Sequence, residues 1–153
     1  MNSKIKVVKT TNENPDFLSL IKTFDAYLWE RYPELKINYW GNNIIELNPN
    51  VVVIYLDEKP VACGCFKKYD KNTIEIKRMF VAPEARGLGL AQRILQELEQ
   101  WSLELGYSVS ILETLYKQKE AISLYEKVGY AIVANYEPYV GLENSICMRK
   151  KIG

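Results

Sequence analysis

The segment Arg86-Gly87-Leu88-Gly89-Leu90-Ala91 has the residue types of an anion-binding loop. It follows an apolar strand predicted over residues 74–81 and precedes an amphipathic helix predicted to begin near Leu90. Gly87 and Gly89 have no Cβ atom, so the backbone can turn sharply there and approach a ligand closely. The first N–H groups of the helix lack intrahelical partners and, with the helix dipole, favour a phosphate. For a Gly-x-Gly taken by itself, the alternative is a turn that only joins a strand to a helix.

The elements that must position this loop begin near the start of the chain. A short strand around Ile5 is followed by a helix that starts at Asn14-Pro15 and ends near Arg31. Asparagine is a favoured N-cap residue, proline suits the first helical turn, and the apolar residues between them and Arg31 recur at helical spacing. A short helix around residues 39–47 is predicted within a loop-rich segment.

Apolar runs separated by turn residues predict the remaining elements. These are strands over residues 51–56, 61–68, 73–81, 108–112, 130–136 and 145–151, turns at 57–60 and 70–72, and helices from Leu90 to Gly106 and over 118–128. The strand, helix and strand between residues 73 and 113 form a βαβ unit with parallel strands, whereas the preceding strands form an antiparallel meander. The sheet is therefore mixed. A dinucleotide-binding unit is rejected, because it would carry a third glycine and begin a doubly wound array.

Length and composition predict a single globular domain over residues 1–153. Of the 153 residues, 48% are hydrophobic and 25% are charged, and the net charge is +1. No overall field would attract the protein to nucleic acid or to a membrane surface, so neither is expected as a partner. No apolar run approaches the ~20 residues needed to span a bilayer. The first residues also lack the apolar run of a signal peptide, which favours a cytoplasmic protein.

Cysteine and histidine usage excludes several kinds of site. The chain has three cysteines, Cys63, Cys65 and Cys147, and no histidine. An odd number without a secretory signal indicates reduced thiols that pack in the core. Without histidine there is no Ser-His or Cys-His nucleophile, and no ligand set for a metal stands out.

Two motifs together resemble the GNAT superfamily of acetyl-CoA-dependent N-acetyltransferases. The signature Arg/Gln-x-x-Gly-x-Gly/Ala is met by Arg86, Gly89 and Ala91, and residues 121–130, about 35 positions further on, are similar to the family's later helix and turn. The resemblance implies a mixed α+β and α/β fold, in which three α/β/α layers surround a mixed, mostly antiparallel sheet of six to seven strands. It covers residues 51–151 well and the first 50 only in outline.

The resemblance implies that acetyl-CoA is the co-substrate. No metal is expected, because no ligand set for one stands out in the sequence. Family members bind the CoA pyrophosphate on the backbone amides of the loop, which here are those of Arg86, Gly87, Leu88, Gly89, Leu90 and Ala91. The preceding strand segment, Met79, Phe80 and Val81, would pair with the pantetheine arm and polarise the acetyl carbonyl. Amides held rigidly beside a developing oxyanion lower the barrier, because they need no reorganisation. Where the family often has Asn before the later helix, this chain has Gln118.

The resemblance also implies two catalytic residues. Tyr125 matches the position of a general acid that protonates the departing CoA thiolate, and a phenol suits this role because its pKa, about 10, is close to that of a thiol. A core tyrosine on an apolar helix face is the alternative. Glu75, on the strand leading to the loop, is the candidate base that deprotonates the acceptor amine. The alternative for Glu75 is a solvent-facing strand residue paired with Lys77.

The acceptor would be a primary amine of a small molecule or a peptide that attacks acetyl-CoA directly in a ternary complex. Aromatic and acidic residues in the two least matched regions are candidates for its pocket: Trp29, Tyr32, Tyr39, Trp40, Tyr136, Tyr139 and Glu143. Transfer of a longer acyl group, or to a hydroxyl, stays open. A further alternative is a catalytically inactive module that senses acetyl-CoA and regulates a partner. Family members often pair, which leaves a homodimer open.

Overall fold

The computed structural model describes residues 4–33 and 50–153, so the helix predicted over residues 39–47 lies outside the described residues. Within them, seven strands form one mixed sheet in the order β1-β2-β3-β4-β5-β7-β6, with three α-helices. This confirms the predicted fold class. The elements are β1 (Ile5–Thr10), α1 (Pro15–Arg31), β2 (Asn50–Leu56), β3 (Lys59–Lys68), β4 (Thr73–Val81), α2 (Leu90–Glu104), β5 (Val109–Leu115), α3 (Lys119–Lys127), β6 (Ala131–Val133) and β7 (Ser145–Lys151).

The chain divides into two compact units. Unit 1 contains the described residues up to Phe66 together with Arg78–Leu98, and unit 2 contains Lys67–Lys77 and Glu99–Gly153. In the ranges described, no helix has both the length and the apolar character needed to cross a membrane.

In unit 1, helix α1 begins and ends where the sequence predicts. The Asn14 side chain accepts hydrogen bonds from the backbone N–H groups of Asp16 (2.9 Å) and Phe17 (3.1 Å), and Pro15 occupies the first turn. These bonds satisfy two N–H groups that have no partner inside the helix. The helix buries Phe17, Leu20 and Ile21.

Strands β1, β2 and β3 form the predicted antiparallel meander. The turn between β2 and β3 is tighter than the predicted turn at residues 57–60, because Lys59 and Pro60 already belong to β3. Asp57 (φ 50°) and Glu58 (φ 71°) are both left-handed, as a two-residue hairpin turn of the type I′ class requires. The sequence carries neither Asn-Gly nor Asp-Gly at this turn, which is why its length was mispredicted.

In unit 2, β4 and β5 are parallel, with a register that runs from Thr73↔Val109 to Ile76↔Leu112. This confirms the predicted βαβ unit. Strand β5 extends past the predicted end at Leu112 to Leu115, because it pairs along its whole length with β7. Strand β6 covers only Ala131–Val133 instead of residues 130–136.

The chain leaves β6 early because the Asn135 side chain organises the following loop. Its amide donates to the carbonyl oxygens of Tyr139 (3.1 Å) and Leu142 (3.2 Å), which favours a compact loop over continued strand pairing. We call residues 134–144 the β6–β7 loop. Cys63, Cys65 and Cys147 are buried, and none of the three is in a disulfide, as predicted.

Gly64 in β3 allows helix α2 to pack closely on the sheet of unit 1. A Cβ atom at this position would lie 2.6 Å from Ile94 Cγ2 and 2.7 Å from Met79 Sδ. The Met79 sulfur is the end of a flexible side chain, but the β-branched Ile94 has little rotamer freedom in a helix. The close approach of β3 and α2 therefore depends on the missing side chain.

We expect Gly64→Ala to lower the free energy of unfolding by about 1–3 kcal/mol, because overpacking forces the helix or its side chains to shift. Urea unfolding followed by circular dichroism measures this. Ile94→Ala and the Gly64→Ala/Ile94→Ala double variant complete a cycle in which the cost of Gly64→Ala should shrink. An equal cost in both backgrounds would contradict the steric explanation.

Candidate active site

The predicted anion-binding loop is an open turn in unit 1 that contains two glycines with positive φ. Gly87 (φ 82°) and Gly89 (φ 76°) are left-handed, and a Cβ atom at either would meet nothing within 4 Å. Residues 86–89 are exposed, whereas Leu90 is buried and anchors the start of α2. The N–H of Arg93 donates to the Gly89 carbonyl (3.1 Å) and closes the first turn of this helix. Open space beside N–H groups at a helix start fits a phosphate group.

The side chain of Arg86 braces this loop. Its Nε donates to the carbonyl oxygen of Val81 (3.2 Å), at the end of β4. Its guanidinium carbon lies 5.2 Å from the centroid of the Tyr27 ring on α1, and that of Arg31 lies 5.2 Å from the same centroid. Arg86 therefore connects the loop to both β4 and α1 through a hydrogen bond and a cation–π contact.

The predicted pantetheine-binding segment, Met79 to Val81, follows a strained residue. Arg78 has φ 59°, an uncommon value for a residue with a Cβ atom. Its guanidinium pairs with Asp25 of α1 (Nη1 to Oδ1, 2.6 Å), and its carbonyl accepts a weak hydrogen bond from Cys63 Sγ (3.4 Å). Burial raises the pKa of the Cys63 thiol, which keeps the S–H donor in place. These contacts fix the backbone immediately before the segment.

Our reading of the sequence missed Arg78 and Asp25 as supports of the segment. The available signal was the position of Arg78 along the strand. Side chains at every second residue point to the same face, so Arg78 shares a face with the apolar Ile74, Ile76 and Phe80. Phe80 stacks on Phe24 of α1, with ring centroids 5.1 Å apart.

In unit 2, Glu75 is buried, with only 1% of its surface exposed. The Tyr136 hydroxyl donates to its Oε2 (2.7 Å), and the ammonium groups of Lys67 (3.9 Å) and Lys77 (4.0 Å) face its Oε1. The alternative of a solvent-facing Glu75 is therefore wrong, although its pairing with Lys77 is present. A buried carboxylate needs such partners, because its desolvation is costly.

Two tyrosines of the β6–β7 loop lie beside this carboxylate. The hydroxyl of Tyr139 accepts a hydrogen bond from Lys77 Nζ (3.2 Å), and the rings of Tyr136 and Tyr139 meet edge to face at 5.5 Å. Burial and the charge of Glu75 raise the pKa of both phenols, so both remain protonated. Both residues belong to the predicted acceptor set, and the structure brings them together with Glu75.

A second carboxylate, Glu113 of β5, joins this group and was missed by our reading of the sequence. Ser145 Oγ donates to its Oε2 (2.7 Å). Burial is the main cause that raises the pKa of Glu113 to about 7, against the opposing effects of the Ser145 hydrogen bond and the Lys77 charge. We call Glu75, Glu113, Tyr136 and Tyr139 the carboxylate–tyrosine cluster. The only sequence signal for Glu113 was an acidic residue just beyond the predicted end of an apolar strand.

Tyr125 and Gln118, the other predicted site residues of unit 2, lie on or beside α3. Tyr125 is 7% exposed, and its ring meets the Tyr130 ring edge to face at 5.9 Å. Burial and the negative charge of Glu113 raise the pKa of the Tyr125 phenol. The Gln118 Oε1 accepts a hydrogen bond from Thr114 Oγ1 (2.7 Å), which holds the side chain beside β5.

Three other described members of the predicted acceptor set lie elsewhere in the chain. Trp29 and Tyr32 lie at the end of α1 in unit 1, and Glu143 is exposed in the β6–β7 loop. Tyr39 and Trp40 lie outside the described residues.

Comparison with known proteins gives concordant results. The model of the acetyltransferase (GNAT) family matches residues 14–130. An uncharacterized N-acetyltransferase of Schizosaccharomyces pombe is 31% identical over 147 residues, which covers 90% of this chain and 86% of that protein.

Two crystal structures share the fold. A candidate acyl-CoA N-acyltransferase from Klebsiella pneumoniae superposes with a TM-score of 0.82 at 24% identity, covering 97% of this chain and 98% of that one. A GNAT family acetyltransferase from Elizabethkingia anophelis with acetyl-CoA bound superposes with a TM-score of 0.68 at 17% identity, covering 96% and 97%.

The raised pKa of Glu113 predicts a pH-dependent stability. The pKa of about 7 in the folded state exceeds the ordinary value of 4.5, so folding favours the protonated form of Glu113. The contribution of Glu113 to the free energy of unfolding is therefore fully present below pH 4.5 and is lost as the pH rises through 7. Between about pH 5 and about pH 8, wild type should lose roughly 2 kcal/mol relative to Glu113→Gln. Urea unfolding at both pH values measures this difference. The exposed Glu143→Gln serves as the matched control, and parallel curves for wild type and Glu113→Gln would contradict the assignment.

Proposed function

Because the chain belongs to the acetyltransferase (GNAT) family, we propose that it is an enzyme that transfers the acetyl group of acetyl-CoA to a primary amine of a small molecule or a peptide. The observation that carries the proposal is the open loop of Arg86 to Gly89, with two left-handed glycines before α2. The S. pombe relative is named an N-acetyltransferase, and the E. anophelis structure contains acetyl-CoA. Direct attack in a ternary complex needs no nucleophile from the protein.

The donor substrate would be held by the backbone of unit 1. The N–H groups of Arg86 to Ala91 would bind the pyrophosphate of CoA, with the partial positive charge of the α2 N-terminus. The segment Met79 to Val81 would pair with the pantetheine arm and donate to the acetyl carbonyl oxygen. The Arg78–Asp25 ion pair and the Cys63 contact support this role, because donors that are already fixed stabilise a developing oxyanion without reorganisation.

The leaving group would be protonated by Tyr125. When the C–S bond breaks, its electron pair stays on sulfur, and the thiolate takes the phenolic proton. A tyrosine with a raised pKa is fully protonated at neutral pH, so the proton is present on the phenol when the thiolate forms. Gln118 would contact CoA at the start of α3.

The acceptor would be bound by the carboxylate–tyrosine cluster. An ammonium group is attracted by carboxylates and by the faces of aromatic rings, and the cluster provides both. The amine must lose a proton before it attacks, and the resemblance makes Glu75 the candidate base.

A cytoplasmic location and a homodimer remain predictions from the sequence.

The first test is acetyl-CoA binding by isothermal titration calorimetry. Wild type should bind, and Gly89→Asp should bind at least about 100-fold more weakly, because a carboxylate replaces open space where the pyrophosphate would sit. Gly106→Asp is the matched control: Gly106 (φ 98°) lies beyond the other end of α2, and its Cβ position is equally open. It carries the same charge and a similar backbone strain. Equal weakening in both variants, or no binding by wild type, would contradict the donor site.

The second test is turnover by Tyr125→Phe. With a panel of tyramine, spermidine, lysine and a short peptide, free CoA production should fall by about 100-fold in kcat, because the proton donor is lost. Acetyl-CoA affinity should stay unchanged. Tyr130→Phe, at the ring that contacts Tyr125, is the control and should keep its turnover.

Unchanged turnover in Tyr125→Phe would remove the acid role. Acetyl-CoA binding without transfer to any amine would favour the sensor module instead. Comparison of acetyl-CoA with propionyl-CoA and succinyl-CoA measures the acyl preference.

A further inference from the structure

The two carboxylates of the carboxylate–tyrosine cluster differ in the partners of their oxygen atoms. Both oxygens of Glu75 face cationic or hydroxyl groups, and the side chain is fully enclosed. Glu113 is only partly buried and accepts a hydrogen bond on Oε2. Among the described residues, no hydrogen bond ends on its Oε1. Glu113 therefore has an oxygen available for a proton.

The strand register places both carboxylates on the same face of the sheet. Glu75 pairs with Ile111 in the parallel register of β4 and β5. Glu113 follows Ile111 by two residues and therefore points to the same face. An acceptor amine bound beside the tyrosines would therefore lie on the same side of the sheet as both carboxylates.

We propose that Glu113 is the general base that takes the proton of the acceptor ammonium, and that Glu75 is a positioning residue that holds Tyr136 and Lys77. This inference rests on the proposed function, since it names the proton acceptor for that transfer. Glu75 is less suited to the role because both of its oxygens are already engaged. A proton on Oε2 would compete with the Tyr136 hydrogen bond, and a proton on either oxygen would leave two lysines facing a neutral group.

The groups that face Glu113 set its protonation. They are Glu75 and Lys77 on β4, Cys147 and Ser145 on β7, Tyr125 on α3, and Tyr139 in the β6–β7 loop. Burial raises the pKa of Glu113 to about 7, the Ser145 hydrogen bond and Lys77 lower it, and Glu75 raises it. A base whose pKa lies near the working pH combines a useful charged fraction with a sufficient affinity for the proton.

The protons and bonds of the reaction balance with these residues. The ammonium gives one proton to Glu113, and the neutral amine attacks the acetyl carbonyl carbon. A C–N bond forms, and the C–S bond breaks with its electron pair on sulfur. Tyr125 protonates the sulfur and recovers a proton from the acylated nitrogen, directly or through solvent. Glu113 then releases its proton to solvent, so one proton is produced for each amide formed.

The test is the pH profile of kcat/KM for the panel amine with the highest activity, with tyramine as the reference. In wild type kcat/KM should rise with pH through an inflection near 7, because Glu113 must be ionised. Glu113→Gln, which keeps the side-chain size, should lower kcat/KM by about 100-fold and remove the inflection. Glu75→Gln should keep the inflection but move it to lower pH, whereas Ser145→Ala should move it to higher pH. A general loss of structure would not move the inflection to lower pH in one variant and to higher pH in the other, so the two opposite shifts exclude a merely structural effect.

A direct measurement accompanies the kinetics. Infrared difference spectroscopy should show a carboxylic acid band that titrates near pH 7 in wild type, titrates at lower pH in Glu75→Gln and is absent in Glu113→Gln. An inflection or a band that survives in Glu113→Gln and disappears in Glu75→Gln would overturn the assignment and make Glu75 the base. Acetyl-CoA binding with no transfer to any amine would instead overturn the proposed function, and this inference with it.

Discussion

The burial of one negative charge, on Glu75, constrains most of unit 2. A carboxylate enclosed in a sheet is stable only when donors and cations replace its water. Here the replacements come from three parts of the chain: Lys67 at the end of β3, Lys77 in β4, and Tyr136 in the β6–β7 loop. The loop can supply Tyr136 only because β6 ends at Val133, and Asn135 then fixes its shape. The short edge strand and the loop shape set by Asn135 therefore bring Tyr136 to the buried carboxylate.

Most of the fold could be predicted because its elements have local signals. Asn14-Pro15 caps α1, and glycines end α2 and α3 at Gly106 and Gly129, both of which are left-handed. Errors arose where partners distant in sequence decide the outcome. Strand β5 is lengthened by its pairing with β7, and β6 is shortened by side-chain hydrogen bonds within the next loop. Local propensity contains no information about either partner.

The candidate site was also predictable only in part, because some of its residues have a local sequence motif and others do not. The predicted anion-binding loop has a compact motif, because backbone binding of a phosphate favours glycine at fixed positions. Glu113 and Arg78 have no such motif, since their roles come from what surrounds them. The unusual protonation of Glu113 depends on burial among groups from β4, β7 and α3, and the support given by Arg78 depends on Asp25, which is 53 positions earlier in the chain. The sequence predicts Tyr136 and Tyr139 as site residues, but only as members of a larger aromatic set.

The charge of Glu113, after burial, is the second cause that raises the pKa of the Tyr125 phenol. Two ionisable groups that interact in this way do not titrate independently. While Glu113 is negative, a tyrosinate next to it is penalised, and the phenol holds its proton firmly. A proton on Glu113 removes that repulsion, which makes Tyr125 a stronger acid. In the proposed reaction, coupling of this kind would link the two proton transfers in time, because a proton received by the carboxylate makes the proton of the phenol easier to release.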